Sequence, residues 1–412
     1  MARQSAIRTL GLRAGVVGVN FVVMLGLAAL LGFETFGRLA ALWGAALVAG
    51  TVLSLGGPVI LLRLLTDGKG MRGRDVCKIA FVYPGLLALV FYGVANTFAP
   101  TWSWGAILGA GFAANTLGCL ASVMRALGNV QGSMALRDAG PQIALGLAGI
   151  LGQSASADMI AASAAMTMSV FALCGIVWVC RHKNFPGVLA SVWRPYWSTS
   201  LWASSVLGMV VAQIDLIVGG AVISAEQLGV YAVLRRVANL VALPVTVATW
   251  VSALPISAAH GAGDAKALAR ASAQSSQIAM LPGVLFFAAG LLAIPLLTFA
   301  LPEYANQGIG LTFGILLCGA LVQVVFAASF GVANLCGAAR YAMIARFGMV
   351  VLYLLWIAWW GPELTVTTNA LGYIGALTLG GVGLWHVIWR QLGVDTSAFV
   401  LLNLRRRTWK TS

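Results

Sequence analysis

The sequence predicts an all-α, polytopic membrane protein. Of its 412 residues, 60% are hydrophobic, and only 9% are charged. The charged residues stand in short clusters between apolar runs that are long enough to cross a bilayer as helices. A soluble domain could not bury so many apolar runs, whereas in a bilayer each run satisfies its own backbone hydrogen bonds as a helix.

The apolar runs predict twelve transmembrane helices, of which the fifth and the eleventh are the shortest. About 20 apolar residues are needed to cross the hydrocarbon core, and this length defines each element. The predicted helices are residues 13–32, 39–62, 76–98, 103–124, 139–154, 159–180, 199–222, 229–257, 272–299, 309–331, 347–361 and 366–389.

The basic residues orient these helices. If the N-terminus is cytoplasmic, only Arg38 of the 25 basic residues falls outside the cell, and only Arg235 and Arg236 lie deep within a span, since Arg13 and Lys78 stand at cytoplasmic span ends. Cytoplasmic segments hold all the others, in the positive-inside pattern. This asymmetry predicts an even number of helices with both termini cytoplasmic. The outer segments hold acidic residues instead: Glu34, Asp158, Glu226, Glu303 and Glu363.

The net charge of +14 is explained by these loops without a nucleic-acid partner. Basic loops and the tail sequence Arg405–Arg407 are expected to contact anionic membrane lipid. The six cysteines and three histidines show no spacing typical of a metal site, and no cysteine falls in an outer loop. We therefore expect no disulfide, no metal, no cofactor and no catalytic residue.

Short patterns recur in the two halves of the chain. Glu-x-x-Gly occurs at 34–37 and again at 226–229, and Asn-x-x-Gly occurs at 129–132 and again at 334–337. Ile-Ala followed by Pro-Gly, and a Thr-Phe-Ala segment before Pro, also appear once in each half. A repeat offset by six helices keeps its orientation, so the halves are predicted to be parallel repeats, as in many transporters.

This duplication predicts four regions. Two six-helix lobes flank a cytoplasmic linker, and a basic cytoplasmic tail follows the second lobe. The regions are the N-terminal lobe 1–180, the linker 181–198, the C-terminal lobe 199–389 and the tail 390–412.

Three charged residues are predicted deep inside spans: Asp215 in the seventh helix, and Arg235 and Arg236 in the eighth. Charges at this depth are costly, which makes each of them a candidate site residue. Asp215 can form a structural salt bridge with Arg235 or Arg236, or it can bind a coupling H⁺ or Na⁺. One acid cannot neutralise both arginines, which point about 100° apart on a helix. The remaining guanidinium suits a phosphate, and we favour Arg236, the deeper of the two.

Neutral polar residues also interrupt the spans. Such residues line a hydrated cavity or bond a neighbouring helix, and the sequence leaves both options open. The candidates for a cavity lining are Asn20, Asn115, Gln213 and Gln323.

Two segments resemble a known family. Leu31-Gly-Phe-Glu-Thr-Phe-Gly37 resembles a Leu-Gly-x-x-x-(Tyr/Phe)-Gly turn after the first helix. Asp215, Ile223–Ala232 and Arg236 resemble the hairpin between the seventh and eighth helices. Both features are similar to those of the polysaccharide exporters, the Wzx-type O-antigen and exopolysaccharide flippases, in the multidrug/oligosaccharidyl-lipid/polysaccharide flippase superfamily.

The resemblance implies a MATE-like, V-shaped bundle with a cationic cavity between its lobes. It implies a flippase of the cell inner membrane that moves an undecaprenyl-pyrophosphate-linked oligosaccharide by alternating access, for O-antigen, lipopolysaccharide or exopolysaccharide biosynthesis. The implied partners are that lipid-linked oligosaccharide, the polysaccharide assembly machinery, and H⁺ or Na⁺ as the coupling ion.

Other functions remain open at this point. A cation-coupled multidrug or metabolite antiporter of the same fold is the nearest alternative, although such exporters usually need buried carboxylates and this chain offers only Asp215. A major-facilitator transporter shares the twelve-helix plan. A membrane polysaccharide polymerase or ligase is less favoured, because the predicted outer loops are short and contain no histidine. We therefore do not expect an enzyme.

Overall fold

The computed structural model describes residues 2–66, 73–99, 102–181, 199–300 and 308–400. Within these ranges every regular element is a helix, which confirms the predicted all-α polytopic fold. Most of the predicted linker (182–198) and the basic end of the predicted tail (401–412) lie outside the described residues.

By packing, the chain divides into two compact units, Met1–Val230 (unit 1) and Tyr231–Ser412 (unit 2). The lobe boundaries inferred from the internal repeats stay a prediction. The helices that begin in unit 1 are α1 (Ala2–Leu53), α2 (Gly57–Thr66), α3 (Gly73–Cys77), α4 (Tyr83–Phe98), α5 (Trp104–Ala126), α6 (Val130–Met134), α7 (Gly140–Leu151), α8 (Ala157–Arg181), α9 (Thr199–Val222) and α10 (Ala225–Ala238).

Unit 2 continues from the end of α10 with further helices. Short 3₁₀ turns also occur there, at Asn239–Ala242 and Gly361–Glu363. The remaining α-helices are α11 (Leu243–Gly261), α12 (Ala265–Ala300), α13 (Ile309–Val325), α14 (Ala327–Leu335), α15 (Ala339–Trp360) and α16 (Val366–Leu392).

Nine helical segments within the described residues are long and apolar enough to cross a membrane, or ten if α13 and α14 form one span bent by 42°. The longest, Gly15–Leu53, covers most of the first predicted span and the first part of the second. The second span was predicted to continue to residue 62, but the helix ends at Leu53 and α2 begins after a turn at 54–56. The fifth predicted span corresponds to α7, which has only 12 residues. The count of twelve therefore depends on counting the bent α13–α14 pair as one span, on treating the two parts of α1 separately and on accepting α7 as a short span.

Gly32 divides α1 into these two parts. Its backbone is non-helical, with φ 74° and ψ 161°, a conformation that glycine adopts without steric cost. The turn predicted between the first two spans is thus made by a single glycine inside one long helix.

Unit 1 is built around α5, which packs against α1, α2 and α8, while α1 also packs against α7 and α9. Two π-helical segments, Lys78–Val82 and Ala135–Ala139, lead into α4 and α7. Pro84 has no N–H to donate to the carbonyl of Ala80 four residues earlier, and the buried Thr116 hydroxyl donates to that oxygen at 3.0 Å. A side chain of α5 therefore stabilises the irregular start of α4.

The repeated Glu-x-x-Gly patterns lie against each other in unit 1. A Cβ on Gly37 would overlap the backbone of Ala225 and Gly229, and a Cβ on Gly229 would overlap the backbone of Phe33. Glycine is needed at both positions because the two helix backbones are in direct contact. This reciprocal contact is the physical reason why both motifs end in glycine.

In unit 2, α11 packs against α12, while α16 packs against α13 and α15. Prolines lie inside these helices, at Pro255 in α11 and at Pro282 and Pro295 in α12. A buried apolar cluster joins α11, α12, α14, α15 and α16 near one end of the unit, with Ile256, Val332, Ala342 and Leu384 among its least exposed residues.

Candidate functional site

A buried polar cluster in unit 2 holds one of the two predicted arginines. Arg235 is 7% exposed, and its Nη2 donates to the hydroxyl of Tyr373 at 3.1 Å. The guanidinium carbon also lies 5.2 Å from the centre of the Tyr373 ring, within the range of a cation–π interaction. Tyr373 of α16 therefore holds Arg235 through both its hydroxyl group and the face of its ring.

The cluster continues beyond Tyr373. The ring of Tyr353, on α15, meets the Tyr373 ring edge to face at 6.2 Å between centroids. The Tyr353 hydroxyl donates to Asn369 Oδ1 at 2.6 Å, and both residues are at most 1% exposed. We call Arg235, Tyr353, Asn369 and Tyr373 the Arg235 cluster.

Arg236 lies next in the chain but in a different environment. Its side chain is partly exposed, and none of the acidic side chains described in unit 2 pairs with it. Consecutive helical residues point about 100° apart, which directs Arg236 away from the position that Arg235 occupies. Of the two guanidinium groups, that of Arg236 is the more accessible to a ligand.

Asp215 is fully buried on α9 in unit 1. The predicted salt bridge with Arg235 or Arg236, and the alternative role in binding a coupling ion, both stay predictions.

The neutral candidates in unit 1 lie on three helices, and each makes a different contact. Asn20, on α1, donates its amide to the backbone carbonyl of Asp138 in the second π-helical segment at 3.3 Å. Asn115 is buried on α5, where its Oδ1 accepts a weak bond from Cys119 Sγ at 3.8 Å. Gln213, on α9, extends over Gly44 of α1. Asn20 therefore stabilises an irregular helix start, as Thr116 does at the other π-helical segment.

Some of these amides keep a buried polar atom with no hydrogen-bond partner among the described residues. They are Asn20 Oδ1, Asn115 Nδ2 and, on α7, Gln142 Oε1. Buried polar atoms of this kind are usually satisfied by water or a ligand. The fourth neutral candidate, Gln323, is partly buried on α13 of unit 2.

A cavity of about 700 Å³ opens in unit 1, among residues of the predicted outer ends of its helices. Its polar lining has two acids, one base and several hydroxyls, and one tryptophan provides an aromatic surface. The base, Arg38, donates to Glu34 at 2.8 Å. We call this space the Trp102 cavity; its chemistry is set by Glu34, Arg38, Trp102, Ser103, Ser156 and Asp158.

An apolar cleft of about 520 Å³ adjoins this cavity. Trp102 lines both spaces, and its ring stacks on Trp104 with 6.0 Å between centroids. The indole N–H of Trp104 donates to the carbonyl of Ala99 at 2.7 Å, which fixes this second ring. Apart from the two indoles, the cleft is lined by aliphatic side chains and Phe91, including Ala45, Val48, Val52 and Ile217.

Sequence reasoning found Arg235 and Arg236 but not Tyr353, Asn369 or Tyr373. A signal was present, since a tyrosine inside a span needs a partner for its hydroxyl. The Trp102 cavity was missed because its lining comes from several loops and helix ends, whose proximity no local pattern encodes.

The fold resembles that of solved transporters across nearly the whole chain. The chain is similar to the inward-facing conformation of a multidrug resistance MATE family transporter of the MOP superfamily, with a TM-score of 0.66 and 12% identity over 94% of this chain and 98% of the other. The outward-facing conformation of such a transporter aligns with a TM-score of 0.64 at 12% identity, over 94% of each chain. A MATE structure in the bent conformation gives 0.63 at 12% identity, over 95% of each chain.

The chain has the fold of MATE family transporters. At 12% identity the likeness concerns the fold alone, and it agrees with the predicted MATE-like architecture. No family model and no curated protein matches the sequence.

Proposed function

We propose that this protein is a flippase of the inner membrane, with both termini cytoplasmic, that translocates a lipid-linked oligosaccharide by alternating access. The substrate class is an oligosaccharide joined to a polyprenyl chain through pyrophosphate, for the biosynthesis of a surface polysaccharide such as O-antigen. The MATE transporter fold and the sequence motifs that resemble polysaccharide exporters support this proposal.

The observation that carries the proposal is the different environment of two adjacent arginines in a membrane-embedded helix. Arg235 is engaged by Tyr373, whereas Arg236 is partly exposed and has no acidic partner among the described residues of unit 2. A positive charge at this depth is costly unless it is paired with an acid, binds an anionic ligand or faces water. A guanidinium presents paired N–H donors that match the oxygens of a phosphate.

The chemistry of the proposed substrate explains why a cation inside the bundle would be useful. A glycan headgroup cannot cross hydrocarbon, and a polyprenyl chain gains nothing by leaving it. A helical bundle that offers a cation to the pyrophosphate and neutral polar groups to the sugars lowers the barrier for the headgroup. Covalent chemistry is not required.

A cation-coupled multidrug antiporter is the second candidate, because the solved relatives of this fold include multidrug resistance transporters. Asp215 is the observation in its favour, since a buried carboxylate can bind H⁺ or Na⁺. A partly exposed arginine inside a span argues against a cationic cargo, which it would repel.

The decisive experiment reconstitutes the full chain in liposomes with a fluorescent undecaprenyl-pyrophosphate disaccharide and measures its exposure to an impermeant quencher. We expect protein-dependent exposure that falls at least tenfold in Arg236→Ala, with unchanged amounts of folded protein. Arg236→Lys should restore part of the rate, because it keeps the charge and loses the planar fork.

The matched control is Arg390→Ala, which removes an exposed arginine from the last turn of α16. It should leave exposure of the probe unchanged. Loss of folded protein in Arg236→Ala would indicate a structural role for this residue. Export of a cationic dye by a wild-type protein that does not flip the glycolipid would favour the antiporter.

A further inference from the structure

We propose that a short segment after α16 is a conformational switch for the bent pair α13 and α14 of unit 2. We call this segment, residues 394–398, the strap. When it is seated, the strap holds the two helices at their angle of 42°. When it is released, the helices join into one straight span. The inference goes beyond the proposed function, because it concerns how the protein changes conformation and does not depend on the cargo.

The backbone at the bend has exchanged one hydrogen bond for another. In a continuous α-helix, the carbonyl of Val325 accepts from the N–H of Ser329, four residues later. In the structure, the Ser329 N–H donates to the carbonyl of Phe326 at 3.1 Å. The carbonyl of Val325 accepts instead from the N–H of Ala398 in the strap, at 2.9 Å. The strap therefore replaces the donor that a straight helix would supply.

Side chains attach the strap to two further helices. The hydroxyls of Thr396 and Ser329, on α14, are 2.8 Å apart, and both residues are fully buried. Asp395 Oδ1 accepts from the indole N–H of Trp385 on α16 at 2.8 Å and from the backbone N–H of Ser397 at 2.9 Å. The strap is thus bonded to both sides of the bend and to α16.

The composition of the strap suits a segment that leaves and returns. Gly393, directly before it, ends α16 with a φ of 64°, which glycine adopts without steric cost. Phe399, directly after it, is exposed. Within the strap only Val394 has a larger apolar side chain, which packs in the apolar cluster at this end of unit 2. Hydrogen bonds therefore hold most of the strap, and other donors and acceptors can replace them.

Two arrangements of the same groups follow from these contacts. In the bent state the strap donates to the carbonyl of Val325, and in the straight state Ser329 donates to it. Each arrangement satisfies this carbonyl, as a segment inside a membrane requires. Packed helices with two discrete arrangements are the elements that switching proteins use, and transporters commonly contain broken spans.

The test measures amide hydrogen exchange of the full chain in nanodiscs, by mass spectrometry of peptides from the strap and the bend. Ala398→Pro removes the N–H that donates to Val325. We expect the strap to exchange at least tenfold faster. The bend, residues 326–330, should exchange at least threefold slower, because the first N–H groups of α14 gain partners in α13 when the helices join. Faster exchange of both peptides would show that the strap is only a brace and would overturn the proposal.

Matched variants control this measurement. Ala398→Gly keeps the N–H and should leave exchange of the bend within twofold of the wild type. Thr396→Val removes the hydroxyl bonded to Ser329 and should shift both peptides in the same directions as the proline variant, by less. Thr378→Val removes a hydroxyl that bonds the carbonyl of Ile374 within α16, and it should shift neither peptide. Equal effects of the two threonine variants would contradict the role of the strap.

A disulfide tests whether release of the strap is needed for transport. Because the hydroxyls of Ser329 and Thr396 are 2.8 Å apart, cysteines at these two positions can be oxidised to a disulfide in a variant whose native cysteines are replaced. Transport of the fluorescent glycolipid, or of ethidium if the protein is an antiporter, should fall at least tenfold on oxidation and return on reduction. Unchanged transport by the oxidised protein would show that the strap stays seated throughout the cycle, and the switch would be wrong.

The two kinds of measurement separate the strap from the proposed flippase. Hydrogen exchange needs no cargo, so it decides on the strap even in a protein that does not flip the glycolipid. Flipping of the glycolipid with faster exchange at both the strap and the bend of Ala398→Pro would keep the flippase and refute the switch. Opposite shifts of the two peptides in a protein that does not flip the glycolipid would keep the switch and refute the flippase.

Discussion

The Trp102 cavity of unit 1 and the Arg235 cluster of unit 2 both place polar side chains in a membrane-spanning bundle, but they surround them differently. At the cavity, the side chains of Glu34 and Arg38 are about two-thirds exposed and border open volume. In the cluster, Tyr353 and Asn369 are at most 1% exposed and bond each other. Polar groups that are buried and mutually bonded stabilise helix packing, whereas those around open space are available to a ligand.

The same distinction separates two neighbours in the sequence. Arg235 belongs to the cluster, and Arg236 lies outside it with a partly exposed side chain. The contacts that each charged residue makes therefore indicate its role better than the number of charges in the span does.

The close contact between α1 and α10, beside the cavity, should tolerate substitution least. Gly37 of α1 lies against the backbone of Ala225 and Gly229, so Gly37→Ala forces two backbones apart. We expect a loss of about 3 kcal/mol of stability, seen as less folded protein in the membrane and a lower midpoint of thermal unfolding. Gly93→Ala is the control, because a Cβ at Gly93 in α4 meets nothing within 4 Å. It should be neutral or stabilise slightly.

The Arg235 cluster should depend on its hydrogen bonds for stability. Tyr353→Phe removes the hydroxyl that donates to Asn369 at 2.6 Å, and we expect a cost of about 2 kcal/mol in thermal unfolding of the purified protein. Tyr341→Phe is the matched change at a less buried site, where the tyrosine hydroxyl accepts a bond from the Gln391 amide. Equal effects of these two changes would contradict the view that burial makes the cluster structural.

The hydrogen bond at the irregular start of α4 should contribute less to stability than the Arg235 cluster does. Thr116→Val keeps the shape of the side chain but removes the hydroxyl that donates to the Ala80 carbonyl, and we expect a loss of about 1 kcal/mol. Thr97→Val removes an exposed threonine hydroxyl in the same unit and should cost less. If both variants unfold at the wild-type temperature, the bond from α5 does not stabilise the start of α4.

Much of the fold was predictable because hydrophobic length and basic loops act locally along the chain. The spans, the break near Gly32 and the paired Glu-x-x-Gly motifs all left local signals. The 12-residue α7 and the π-helical segments were harder, because tertiary bonds from Asn20 and Thr116 support geometry that local preference would not choose.

The candidate sites were less predictable for the same reason. The sequence singled out Arg235 and Arg236 because charge in a span is rare, but it did not indicate that Tyr373, more than a hundred residues away, would bind one and not the other. Trp102 and Asp158 are ordinary residues of predicted outer segments, and only the packing of unit 1 places both of them at one cavity.

The smallest effect should come from the ion pair at the cavity mouth. Glu34→Gln weakens the 2.8 Å contact with Arg38, but both side chains are largely exposed, and such pairs contribute about 0–1 kcal/mol. We expect the thermal midpoint to stay within about 1 °C of the wild type at high salt, where the pair is screened, and to fall only slightly at low salt. A large, salt-independent loss would instead show that this pair is part of the structural core. The cavity would then belong with the Arg235 cluster as a feature that maintains packing, and its lining would no longer be evidence for a ligand.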